Sequence, residues 1–200
     1  MDVREKLAQL NPSSVRYDVC PSGAGSTENP YAMALGFVPA GMGRDLLEYL
    51  YWPDGAALRG TAIYRSIVKV LMAEWAKRQS ILASARAAYG MAASIANYSR
   101  RQDETTRREV EILKARVAVA RQNVWPENVE DRLPLLIPLL LRAMKGEKLS
   151  GVERAKAMNM SESAYREGWN SAYEWMLTAM IDAEAEAARA MEKALRNQAA

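Results

Sequence analysis

The chain has no histidine among its 200 residues, and it has a single cysteine, Cys20. Without histidine, serine–histidine and cysteine–histidine nucleophile systems, imidazole general bases and nearly every zinc site are excluded. One cysteine excludes disulfides within the chain and thiolate metal clusters. The phosphate-binding pattern GxxxxGK[ST] and the dinucleotide pattern GxGxxG are also absent. We therefore expect no enzymatic activity, no metal and no cofactor.

Neither charge nor hydrophobicity is extreme. Lysine and arginine number 27 against 24 acidic residues, and half of the residues are hydrophobic. This composition is typical of a soluble globular protein, and its net charge of +3 neither requires nor excludes a nucleic-acid partner. Residues 1–6 lack the apolar core of a signal peptide, and the longest apolar run, 133–141, is too short to span a membrane. We expect a cytoplasmic protein without a membrane partner.

Helix-forming residues dominate and strand-like alternation is scarce, which predicts an all-α fold. We divide the chain into three parts: a loop-rich segment with a short helix (1–55), a long helical hairpin (56–125) and a helical DNA-binding region (126–200). The hairpin prediction rests on apolar residues three and four apart. These are Ile63, Ile67, Val70, Leu71, Trp75 and Leu82 in the first helix, and Val110, Leu113, Val117 and Ala120 in the second.

Residues 11–43 are rich in glycine, proline and serine, which is typical of loops. Yet this segment also contains apolar residues that could dock on another surface. They are Tyr31, Met33, Leu35, Phe37 and Val38. The segment is therefore either a flexible arm, a surface that orders against a partner, or a part of the core beneath the hairpin.

The most informative stretch is 151–170, which fits the helix-turn-helix template. With Gly151 at position one, Ala155 falls where two helices cross closely, and Asn159 falls where the turn needs a left-handed backbone. Ser161 can cap the second helix. Arg154 departs from the template, because that position is often apolar. Core positions of the template are filled by Met158, Met160 and Tyr165.

If this motif binds DNA, its second helix enters the major groove. Base-edge contacts are then expected from Glu162, Ser163, Arg166 and Asn170, since glutamate can accept from cytosine and arginine can span guanine. Phosphate contacts are expected from Lys145, Lys148, Arg154 and Lys156, with Ser161 at the helix start. The alternative is an ordinary helical corner that binds no DNA.

Charge around this motif is weak, because residues 142–170 contain six basic and four acidic side chains. Tight binding would then need a dimer partner or a larger nucleoprotein machine. A second basic series recurs every seven residues at Arg100, Arg107, Lys114 and Arg121. This series is either a solvated helix face or a phosphate-facing surface.

The order of these features resembles that of the Q-type transcription antiterminators of lambdoid phages, and of AlpA-like lysis regulators from prophage-like elements. The resemblance is carried by NPSSVR at 11–16, YAMALGF at 31–37, the helical middle, the helix-turn-helix, and YEW at 173–175. Some members of this family have a cysteine-rich zinc insert. This chain lacks those cysteines, so the metal function is not carried over.

The resemblance implies a factor that binds double-stranded DNA near a promoter and loads onto a paused RNA polymerase that still holds its sigma factor. Such a factor travels with the polymerase at the RNA-exit channel, beside the nascent RNA, and promotes terminator read-through. Two other functions remain open. One is a conventional repressor or activator that dimerises through its long helices, and the other is a helical assembly protein without DNA binding.

Overall fold

A computed structural model describes residues 34–51, 56–98 and 104–198. All regular structure in these ranges is helical, which confirms the predicted all-α fold class. The helices are α1 (Met42–Tyr51), α2 (Ala56–Tyr98), α3 (Glu104–Gln122), α4 (Val129–Met144), α5 (Gly151–Ala157), α6 (Glu162–Ala164) and α7 (Asn170–Gln198), with a π-helical turn, π1 (Tyr165–Trp169), between α6 and α7. No helix in these ranges is both long and apolar enough to cross a membrane.

Contacts divide the described chain into two compact units. The terminal unit consists of the described residues up to Lys69 and from Arg132 onward, and the hairpin unit is Val70–Asp131. The terminal unit thus contains both ends of the described chain. The three-part division predicted from sequence, with boundaries after residues 55 and 125, places these two ends in separate parts. That three-part division therefore remains a prediction from sequence.

In the terminal unit, α1 packs against α7 at a close crossing. A Cβ atom on Gly43 would stand against the main-chain carbonyl oxygen of Ala183 and 3.0 Å from the Cβ of Ala187. The two helix backbones approach so closely at this point that only glycine fits. Beside the crossing lies a buried cluster that α1 and α7 share with the residues just before α1: Ala34, Leu35, Val38, Leu47, Ala187, Ala188 and Met191.

Some of the apolar residues of the loop-rich segment belong to this cluster. Leu35 and Val38 are buried in the terminal unit against α1 and α7, so they belong to a core that α7 completes. Phe37 is 68% exposed. Tyr31 and Met33 lie outside the described residues, as do residues 1–30 of the predicted loop-rich segment.

The hairpin unit joins α2 to α3. Near the end of α3, Arg78 Nη1 donates to the carbonyl oxygen of Asn123 at 2.9 Å, and its guanidinium lies 4.4 Å from the centre of the Trp125 ring. Trp75 Nε1 donates to the carbonyl oxygen of Pro126 at 3.2 Å. These contacts fix the C-terminal end of α3 and the following loop to the middle of α2, as expected of an antiparallel hairpin.

All ten predicted hairpin stripe residues are buried or half-buried. Ile63, Ile67, Leu71 and Leu82 are buried on α2, and Ala120 is buried on α3. The remaining stripe residues are half-buried: Val70, Trp75, Val110, Leu113 and Val117. Helix α2 also continues without a break through Gly90.

Helix α4 tolerates two internal prolines because both face solvent. Pro134 and Pro138 are exposed, so water can satisfy the carbonyl groups that lose their helical donors. The opposite face is buried and carries the leucine-rich pattern. The following turn has Gly146 at φ 89°, a backbone conformation that favours glycine.

Candidate nucleic-acid interface

The turn after α5 has the backbone geometry that the sequence predicts. Asn159 has φ 53°, the one positive φ at a non-glycine residue in the described ranges. The N–H of Met160 donates to Ala155 O at 3.1 Å, and that of Asn159 donates to Lys156 O at 3.1 Å. These two bonds form a Schellman motif, which satisfies the carbonyl groups at the end of α5. Asparagine tolerates this left-handed position better than other non-glycine residues.

Serine side chains cap the helices on both sides of this turn. Ser161 accepts a hydrogen bond from the N–H of Ala164 at 3.3 Å, as predicted. Ser150 forms a reciprocal capping box with Glu153, in which each side chain binds the other residue's backbone N–H. The hydrogen bond from the Ser150 backbone lowers the pKa of Glu153. Our sequence interpretation missed this box, although its S-x-x-E pattern is a recognised signal.

Replacing Ser150 with alanine should destabilise the protein by about 1 kcal/mol, because the first turn of α5 loses its side-chain acceptor. The matched control is Ser80→Ala at an exposed position inside α2, where alanine favours the helix. Chemical denaturation of both variants measures the difference. Equal midpoints for Ser150→Ala and Ser80→Ala would contradict the capping role.

The inner side of the motif is a packed core. Ala155, Met158, Tyr165 and Trp169 are all buried, and Met160 is half-buried. From α4, Arg132 Nη1 donates to the carbonyl oxygen of Met158 at 3.0 Å and holds the turn. The turn is therefore fixed from inside by apolar packing and from the side by a charged hydrogen bond.

Arg154 lies in an aromatic environment on this inner side. Its guanidinium carbon lies 4.4 Å from the ring centre of Tyr173 and 5.6 Å from that of Tyr165, and its Nη1 bonds Glu174 at 2.7 Å. Only 14% of the Arg154 side chain is exposed. A guanidinium held in this way is not presented to a phosphate. The structure therefore gives Arg154 a packing role and not the phosphate role expected from sequence, which also explains why a charged residue replaces an apolar one here.

Tyr165 predicts a pH dependence of stability. Burial raises the pKa of its hydroxyl to about 12, above the ordinary value of 10.0. Above pH 10 the unfolded chain releases this proton while the folded chain retains it. The stabilisation present below pH 10 is therefore lost between about pH 10 and pH 12. Far-UV circular dichroism during alkaline titration should show a shallower loss of helix for Tyr165→Phe, whereas Tyr89→Phe on α2 should follow the wild-type curve.

The outer side presents the predicted base-contact residues together. Glu162, Ser163 and Arg166 are exposed on α6 and π1, and Asn170 is half-buried at the start of α7. Arg166 has no ion pair within the described part of the chain. Ser161 and Ser163 are hydrogen-bonded through their hydroxyl groups at 3.2 Å. One helical surface thus displays acceptor, donor and cationic groups to solvent.

The predicted phosphate-contact lysines precede this surface along the chain. Lys145, Lys148 and Lys156 are exposed, and within the described ranges none of them forms an ion pair. The ammonium group of Lys145 lies 4.6 Å from the ring centre of Tyr49 on α1. Arg142, by contrast, pairs with Glu147 at 2.7 Å. Three lysines therefore remain available to an external anion.

A π-helical turn, π1, interrupts the second helix of the motif. Its first and last residues, Tyr165 and Trp169, are buried, while Arg166 and Glu167 are exposed. The helix then continues without a break from π1 through α7 to Gln198. Such π-helical turns are rare in proteins, and those that do occur often lie at functional sites. Local sequence periodicity does not reveal them.

The second basic series does not form a uniform cationic surface. Lys114 of this series pairs with Glu111 at 3.6 Å, and Arg108, which follows Arg107 on the same helix, pairs with Glu104 at 2.5 Å. Arg100 lies outside the described residues. Acidic partners along the same helix favour a solvated face over a phosphate-binding surface.

Comparisons of the chain with protein-family models, with curated proteins and with solved structures found no match.

Proposed function

We propose that this protein binds double-stranded DNA through residues 151–170, which we name the reader. The observation that carries the proposal is the placement of Arg166. It is exposed and has no ion pair within the described ranges, yet its neighbours Tyr165 and Trp169 anchor the same turn in the core. A rigid helix that presents a free guanidinium suits base-edge recognition, since arginine spans guanine O6 and N7.

The other residues proposed to contact DNA, in the reader and just before it, divide by position and chemistry. Glu162, Ser163 and Asn170 accompany Arg166 as proposed base-edge contacts. Lys145, Lys148 and Lys156 are the proposed phosphate contacts, since exposed lysines bind phosphates without reading sequence. Ser161 orients the helix start through its cap, and Arg154 stabilises the inner face.

We further propose that the protein is a transcription antitermination factor. On this proposal it loads at a promoter-proximal site onto a paused RNA polymerase that holds sigma factor, and it lies near the nascent RNA at the exit channel. Support comes from the family resemblance and from the weak charge of residues 142–170. Two of the six basic residues in 142–170, Arg142 and Arg154, are paired with glutamates. Because lysine and arginine contacts to phosphates supply much of the affinity for DNA, a protein with so few unpaired cations would need a second macromolecule to bind DNA tightly.

The test uses purified full-length protein in two steps. Selection from random duplexes should first yield a preferred site that the protein shifts in a mobility assay. Transcription from a template with that site upstream of an intrinsic terminator should then show increased read-through. Site binding without read-through would leave a repressor or activator. The absence of any selected site would leave an assembly protein.

A further inference from the structure

The hairpin unit leaves an apolar groove open to solvent. The groove has a volume of about 920 Å³ and lies between α2 and α3. Its apolar lining includes Ile81, Ala85 and Ala88 from α2, and Ile112 and Val119 from α3. Ile81, Ile112 and Val119 are each more than half exposed. Exposed apolar patches of this kind mark interaction sites in soluble proteins.

The spacing of these residues indicates the kind of partner that fits. On α2, Ile81, Ala88 and the exposed Ile95 are seven residues apart, and on α3 so are Ile112 and Val119. A seven-residue apolar repeat is the pattern through which helices pack in coiled coils and bundles. The groove therefore suits helices, and a two-helix hairpin that presents two such seams can complete a four-helix bundle.

Charged residues beside the α3 seam identify the partner. Glu109 and Arg116 are seven residues apart, and Arg116 lines the groove. Both are exposed, and neither forms an ion pair within the described ranges. When two α3 helices pack antiparallel about a two-fold axis beside Ile112, Glu109 of each copy faces Arg116 of the other. Each chain thus supplies one acidic and one basic residue, and two copies form two equivalent ion pairs.

We propose that the groove is a homodimer interface, in which the α2–α3 hairpins of two copies form a four-helix bundle. Ile112 and Val119 of each copy are covered by the other, and the two Glu109–Arg116 pairs set the antiparallel alignment. This inference does not depend on DNA binding. If the reader also functions as proposed, the dimer carries two readers.

The test is a charge exchange in the full-length protein, followed by sedimentation equilibrium. The wild type should be a dimer. In a dimer of either variant, Glu109→Arg or Arg116→Glu, both of the 109–116 contacts bring like charges together. Each substitution should therefore reduce the dimerisation affinity roughly tenfold. An equimolar mixture of the two variants pairs opposite charges again and should form a heterodimer of near wild-type affinity. Both positions are exposed, so far-UV circular dichroism should be unchanged.

A second pair of variants tests the apolar seam. Ile112→Glu should dissociate the dimer, whereas Ile181→Glu, at an exposed isoleucine on α7, should leave it intact. A monomeric wild type would overturn the proposal, because the groove would then belong to a different partner. A dimer that is indifferent to the Glu109 and Arg116 reversals would also overturn it, because the interface would lie elsewhere.

Discussion

Replacing Gly43 with alanine should destabilise the protein by about 3 kcal/mol or more, the upper range for overpacking a well-filled core. The added Cβ would collide with the main-chain carbonyl oxygen of Ala183, and a backbone atom cannot move aside as a flexible side chain can. Helices α1 and α7 would have to separate, which would also open the buried cluster around Leu47 and Met191. Urea denaturation measures this loss.

Gly90→Ala is the matched control, because it is the same substitution inside a helix without the close contact. A Cβ at Gly90 would meet no atom within 4 Å. Alanine should therefore stabilise α2 by roughly 0.5 to 1 kcal/mol, through its higher helix propensity. If Gly43→Ala also proved neutral or stabilising, the close crossing of α1 and α7 would be wrong.

The features that the sequence predicted correctly depend on residues near one another along the chain. The hairpin stripes follow from three- and four-residue spacing, and the left-handed turn follows from the backbone preference of Asn159. The Ser161 cap is equally local. The capping box of Ser150 and Glu153 is local in the same way, because its S-x-x-E pattern lies within four residues of the chain.

The features that the sequence did not reveal depend on distant pairs. The crossing of Gly43 with Ala183 joins residues at opposite ends of the described chain, and periodicity within a helix carries no information about its partner. The role of Arg154 could not be read locally either, because its guanidinium is paired with Glu174 on α7.

Arg166→Ala should weaken binding of the selected DNA site by about 1 to 3 kcal/mol, which is roughly 5- to 150-fold in affinity. The reason is the loss of a bidentate contact to one base. The matched control is Arg189→Ala, since Arg189 is an exposed arginine on α7 outside the reader. Fluorescence anisotropy with a labelled duplex measures both variants. Equal losses from the two would show that Arg166 contributes only general charge.

The lysines should respond differently from Arg166. Lys148→Ala or Lys156→Ala should weaken binding to all duplexes alike, and each should reduce the slope of log affinity against log salt by about 0.9. Base preference should be retained, because phosphate contacts carry no sequence information. A changed base preference in either lysine variant would show that this lysine contacts a base and not a phosphate.

The most direct test of the reader is the base preference of Arg166→Ala, measured by selection from random duplexes in parallel with the wild type. We predict that the variant loses preference at one base pair or at two adjacent ones, with guanine favoured there by the wild type, and keeps the rest of the site. Identical preferences for the two proteins, or no selected site for the wild type, would contradict base recognition by this helix.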